Sequence, residues 1–169
     1  MKDIISSSHG RISELKRNEM VELVLRNKSG RLGLSVNDEP YVVPVSYAYH
    51  EGKIYIHSGR GKKTEYLAKN PRVCFQVDEV YDNGSWKSVI IYGKAKFVED
   101  FQRGLRILFE KFSEPFMRDE DAAIARQRME NFLSTVSGIR APPSEGGGGM
   151  QFYVYEIEVE EMTGRQEIR

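Results

Sequence analysis

Ile54-Tyr-Ile-His-Ser-Gly-Arg-Gly-Lys-Lys-Thr-Glu-Tyr-Leu-Ala-Lys-Asn-Pro-Arg-Val-Cys-Phe75 is the stretch in which a run of strands is interrupted by a helix. The β-branched and aromatic residues from Ile54 to His57 predict a strand. Thr64 to Lys69 predicts a short helix, ended by Asn70-Pro71, and Arg72 onward returns to strand. Between His57 and Lys63 the loop carries Ser58, Gly59 and Gly61 together with Arg60, Lys62 and Lys63. The free amides and positive dipole end of the coming helix point toward the two lysines. That combination builds a seat for a phosphate or another small anion. It also describes a solvated basic turn, and local chemistry leaves both readings open.

Working outward, residues 1–15 read as a loose arm. Met20, Leu23 and Val24 fall at helical spacing between about Asn18 and Asn27, and Lys28-Ser29-Gly30 stops that helix. Strands follow at Arg31–Val36 and Tyr41–Tyr49, joined by the turn residues Asn37-Asp-Glu-Pro40. Pro44 lies within the second of these and cannot donate a ladder hydrogen bond. It implies an edge, a bulge or a place where a ligand replaces a neighbouring strand. Lys53–His57, Arg72–Asp78 and the long Trp86–Glu99 are further strands, and Gly93 marks a bulge or a close backbone approach. Phe101, Leu105, Leu108, Phe109 and Phe112 form a helical apolar stripe, and a second helix is expected over about Glu120–Val136. Residues 101–136 are thus a helical insertion, and residues 137–149, with Pro142-Pro143 and four consecutive glycines, a flexible loop. Met150–Glu160 alternates with period two and closes the series. Short antiparallel connections among six or so strands predict a mainly β domain with flanking helices, closed as a small barrel.

Twenty-five basic and twenty-five acidic residues cancel in this 169-residue chain, so no global field recruits nucleic acid or anionic lipid, and any anion site is local. The length fits one domain. Cys74 is the sole cysteine, which excludes an internal disulfide and a cysteine cage. No signal peptide or membrane span is evident, and the expected address is the cytosol. A Walker loop fails at Ile56 and Lys63, and a dinucleotide fingerprint starting at Gly59 fails at Thr64. His9, His50 and His57 lack metal-ligand spacing.

The ordered pieces Pro44-Val-Ser-Tyr47, Ile54-Tyr-Ile-His-Ser58, Gly61-Lys-Lys63, Asn70-Pro-Arg-Val-Cys-Phe75 and Ser88-Val-Ile-Ile-Tyr-Gly93 resemble the pyridoxamine 5′-phosphate oxidase-like, FMN-binding split-barrel family, most closely its nitroimidazole-resistance branch. The resemblance implies a six-stranded antiparallel split β-barrel spanning residues 1–169 as one domain. It also implies a homodimer with FMN in the cleft between subunits. In that arrangement Lys62 and Lys63 hold the FMN phosphate, and Val43, Pro44, Val45 and Ser46 lie along the isoalloxazine. His57 and Ser58 border the phosphate or ribityl chain, and Ser88 stands where the oxidases carry a flavin-contacting glutamine. The oxidase Arg-x-x-Leu-Lys signature before Pro44 is absent, as is the C-terminal Trp and Arg pattern that binds substrate. His57 matches the histidine of the nitroimidazole-resistance branch, for which a reductive role is expected. The implied function is an FMN-dependent oxidoreductase that takes electrons from NAD(P)H and reduces a small acceptor such as a nitroaromatic. The alternatives are a non-catalytic flavin- or haem-binding protein and a deazaflavin-dependent reductase.

Overall fold

The computed structural model of the chain describes residues 10–113, 127, 130, 131 and 152–169. In chain order the elements are β1 (Arg11–Glu14), α1 (Arg17–Arg26), β2 (Ser29–Val36), β3 (Glu39–His50), β4 (Lys53–Gly59), α2 (Lys62–Lys69), β5 (Arg72–Val80), β6 (Trp86–Phe97), α3 (Phe101–Ser113) and β7 (Phe152–Ile168). All strand pairs are antiparallel, in the order β1-β7-β4-β3-β2-β5-β6, and β6 also pairs with β7. Strands β2 to β7 therefore close into a six-stranded ring, with β1 added outside it along β7.

Two hairpins show how the sequence sets the register. Asn37 and Asp38 both take positive φ (51° and 64°), as do Glu51 and Gly52 (49° and 79°), so two-residue turns join β2 to β3 and β3 to β4. Period-two alternation then sends Leu32, Tyr47, Ile54, Ile56, Phe75, Val89, Ile91 and Ile157 into the barrel, where all are fully buried. Helix α1 packs Leu23 and Val24 against this core, and the buried Tyr47 hydroxyl donates to the Val24 carbonyl (2.6 Å). Strand β4 is covered on both faces, because Phe101, Ile107 and Leu108 of α3 bury Ala48, Tyr55 and Val154 on the outside. Gly104 makes that cover possible: a Cβ there would stand 2.8 Å from Val154 Cγ1.

Gly93 sits at the register shift in the β6–β7 pair, and a Cβ there would lie 2.1 Å from the Glu158 carbonyl oxygen. Both senses of the expected irregularity are thus present. Pro44 faces Arg31 of β2 on one side, while β4 pairs only with Tyr47–His50, so the proline occupies an edge segment. Three boundaries differ from expectation. Arg11–Glu14 is a strand rather than part of a loose arm, and β7 continues past Glu160 to Ile168; the two extensions pair with each other. The α2 helix starts at Lys62 rather than Thr64. The expected helix over Glu120–Val136 and the loop 137–149 lie outside the described residues, apart from the helical 127, 130 and 131. Among the described residues no helix is long and apolar enough to cross a membrane.

Candidate functional site

The loop between β4 and α2 is held from within by Thr64, which is fully buried. The Gly61 amide donates to Thr64 Oγ1 (3.0 Å), and the Thr64 hydroxyl donates to the Gly61 carbonyl (2.7 Å). Glu65 N–H also donates to the Gly61 carbonyl (3.0 Å), which fixes the first turn of α2. The amides of Lys62, Lys63 and Thr64 have no acceptor among the described residues and face out of the helix end.

The two lysines do not point to one place. Lys62 Nζ lies over the rings of Tyr41 (5.0 Å) and Tyr66 (5.2 Å), with Tyr66 anchored by its hydroxyl donating to Glu39 (2.9 Å). Lys63 turns back to the end of β4, where its ammonium donates to the His57 carbonyl (3.4 Å). No carboxylate pairs with Lys63 among the described residues, and partial burial lowers its pKa from the ordinary lysine value. The His57 ring is exposed at its strand end, yet its pKa is also lowered, first by partial desolvation and then by repulsion from the Lys63 ammonium. The pair presents a cation beside an imidazole biased toward its neutral form.

The β3–β4 ladder ends at Tyr47–Ile56, and the next step of the register sets Ser46 across from His57. Both residues are exposed, on the outer face shared with Pro44 and Val42. Alternation turns Val45 into the core and packs Val43 against it, so these two offer an outer ligand only their backbone. Val42, 65% exposed, takes the outward place instead, which the period-two pattern could have signalled. Ser58 also turns inward, buried, with its hydroxyl donating to the Gly59 carbonyl (2.7 Å). Ser88 lies elsewhere. On β7, Ser58 is opposite Tyr153 and Ser88 is opposite Arg165, twelve residues farther on, which is roughly 40 Å of strand path.

Helix amides without internal acceptors, beside a lysine, form a polar cradle suited to an anion. The family model described as pyridoxamine 5′-phosphate oxidase matches residues 16–166, from the start of α1 to near the end of β7. The chain belongs to the pyridoxamine 5′-phosphate oxidase-like family. Among curated relatives of this family, an uncharacterised protein from Rhizobium meliloti is 26% identical over 151 residues, covering 89% of this chain and 92% of that protein. The crystal structure of an FAD-binding protein from Mesorhizobium loti matches at 26% identity with a TM-score of 0.63, covering 95% of this chain and 99% of the other. A structure from Bacteroides thetaiotaomicron, described as that of a candidate 5-nitroimidazole antibiotic resistance protein, shares the fold at 23% identity and a TM-score of 0.63, covering 92% and 87%. The ring of β2 to β7 is thus the split barrel of the pyridoxamine 5′-phosphate oxidase-like family, and the basic loop is the connection that leaves it between β4 and β5.

Proposed function

We propose that this chain is a flavin-dependent oxidoreductase of the cytosol that reduces a small organic acceptor such as a nitroaromatic. The reading takes FMN as the flavin and NAD(P)H as the donor. The observation that carries it is Lys63: among the described residues its partly buried ammonium has no carboxylate partner and meets the His57 carbonyl alone, and the helix amides beside it at the end of β4 have no acceptor. An anion there meets a preformed positive seat, so the residues present fit a flavin phosphate. The FAD-binding relative from Mesorhizobium loti supports a flavin as the group that brings the phosphate.

FMN supplies the hydride and single-electron chemistry that no side chain of this protein can perform. Lys63 and the α2 amides hold the phosphate, while Lys62 adds positive field from its place over Tyr41 and Tyr66. Ser46, Pro44 and the backbone of Val43 and Val45 flank the adjoining edge of β3. His57, biased neutral first by partial desolvation and then by Lys63, is placed to accept or return a proton next to the bound group.

Ser88 lies too far along β7 to share one small ligand with Lys63 of its own chain, so contact of both with one flavin requires a second copy. The outer face carries material for such a pairing: Val42 and Tyr92 are 65% and 45% exposed, beside a groove of about 410 Å³ reaching Gly33 and Cys74. We therefore take the working form as a homodimer with the flavin between subunits.

The test is direct. Purified protein titrated with FMN is expected to show saturable binding, bleaching of flavin absorption on addition of NAD(P)H, and recovery on addition of a nitroaromatic. Protein that binds no FMN would refute the cofactor assignment. Bound FMN that neither donor bleaches would refute the nicotinamide-linked reaction. Elution as a monomer at micromolar concentration would refute the shared site.

A further inference from the structure

The outer face at the end of β4 has two different sides. Toward β3, the register sets Ser46 across from His57. Helix α2 lies on that side, tied to β3 by Tyr66 donating to Glu39 (2.9 Å) and to β2 by Asn70 donating to the Ser35 carbonyl (2.9 Å). Toward β7, His57 is opposite Val154, and Gly59 is opposite Phe152. Alternation sets these four positions on the outer face, because Ser58 and Tyr153, the residues between them, are buried on the barrel side.

Val154 is fully buried and covered by α3, which approaches it at Gly104. Phe152, one rung beyond, is only half-buried. It packs on the same α3 cluster as the half-buried Leu105, and no other aromatic ring stacks on it among the described residues. Gly59 brings no side chain to the patch. His57 and Phe152 are diagonal neighbours across it, about 7–8 Å apart, and neither strand fills the place between them. A flat ring set over Gly59 lies against Phe152 and keeps one edge on the imidazole. Phe152, Val154 and Leu105 carry no charge, so an ionised substituent against them would lose water without gaining a partner.

Resting on the flavin reading, we propose that this patch is the binding wall for the electron acceptor, and that the acceptor is an uncharged, single-ring nitroaromatic. Its ring lies against Phe152 and Leu105 over Gly59. Its nitro group is turned to His57, which stands between this wall and the flavin on the β3 side. Phe152 thereby selects aromatic over aliphatic acceptors and neutral rings over ionised ones.

The test uses the full chain loaded with FMN and reduced by NAD(P)H. Three acceptors are compared: nitrobenzene, the ionised 4-nitrobenzoate, and ferricyanide, which takes electrons without a ring. The parent should show a KM for 4-nitrobenzoate at least about tenfold above that for nitrobenzene. Phe152→Ala should raise the nitrobenzene KM about tenfold and change kcat much less. Phe152→Leu, which keeps apolar packing on α3 but has no ring, should fall between. In both variants FMN affinity and the ferricyanide rate should match the parent, and circular dichroism melts establish that each is folded. An unchanged nitrobenzene KM in Phe152→Ala, an equal loss with ferricyanide, or 4-nitrobenzoate used as well as nitrobenzene would each overturn the wall and leave the flavin reading standing. Protein that binds no FMN, or whose bound FMN is not bleached by NAD(P)H, would overturn both.

Discussion

Replacing Lys63 with alanine, set against the same change at Lys62, tests the basic loop in the way its geometry demands. The two residues are adjacent and equally charged, yet only Lys63 reaches the end of β4. Deleting its ammonium removes one charge-assisted hydrogen bond to a phosphate, about 1.5–3 kcal/mol. That corresponds to roughly 10- to 150-fold in FMN affinity. Lys62→Ala removes a cation held over Tyr41 and Tyr66, an exposed contact of about 0.5–1 kcal/mol, so its effect falls mainly on stability. The assay is quenching of FMN fluorescence on binding, repeated with riboflavin, which lacks the phosphate. Lys63→Ala should lower FMN affinity toward that of riboflavin and leave riboflavin unaffected. An equal FMN affinity in Lys63→Ala, or a larger loss in Lys62→Ala, would refute the division of labour between the two lysines.

Gly93→Ala places a methyl 2.1 Å from the Glu158 carbonyl oxygen, a backbone atom that cannot swing away. We expect a loss of about 3 kcal/mol, seen as a fall of about 6–12 °C in thermal melts. Glu79 is held at a pKa of about 2, chiefly by the hydrogen bond from Arg26, with Tyr81 and Asn27 adding to it. Because the folded pKa lies below the ordinary 4.5, its contribution is complete above that value and is lost as pH falls from about 4.5 toward about 2. Acid-unfolding curves of Glu79→Gln should lack that dependence. A phosphate bound beside His57 should raise the histidine pKa from its lowered value, visible as a move of its NMR titration midpoint toward higher pH. FMN affinity should accordingly increase as pH falls through that window, and an unmoved midpoint would show that the anion binds elsewhere.

Most of the barrel was legible because strands buried on one face write themselves in alternation. Leu32, Phe75 and Ile157 fall where period two puts them, and the Asn37-Asp38 turn announced its hairpin. What could not be read was structure supplied by a distant partner. Arg11–Glu14 is short and half charged, and the chain beyond Glu160 contains Gly164 among Glu, Arg and Gln. Neither segment favours a strand alone; the β7 extension is one because β6 pairs along it, and Arg11–Glu14 is one because that extension lies beside it. The site shows the same limit. The local sequence located the basic loop, but Tyr41, which together with Tyr66 one turn along α2 draws Lys62 aside, comes from β3. Alternation within β3 could have exchanged Val43 and Val45 for Val42 among outward side chains. The inward turn of Ser58 followed from the same pattern as Ile54 and Ile56.

Strand β7 has a kinetic consequence. It pairs with β1, β4 and β6, and during synthesis it is made after all three. Until it docks, β4 and β6 present unpaired edges and the interior behind Tyr47 and Phe75 stays open to water. The contacts that seal the ring span most of the chain, so the search for closure is long and its rate is set by loop entropy rather than by local helix formation. Slower translation or lower growth temperature does not shorten that wait, since only the arrival of β7 ends it. The nascent protein is therefore most vulnerable to edge-to-edge aggregation in the interval between completion of β6 and emergence of β7.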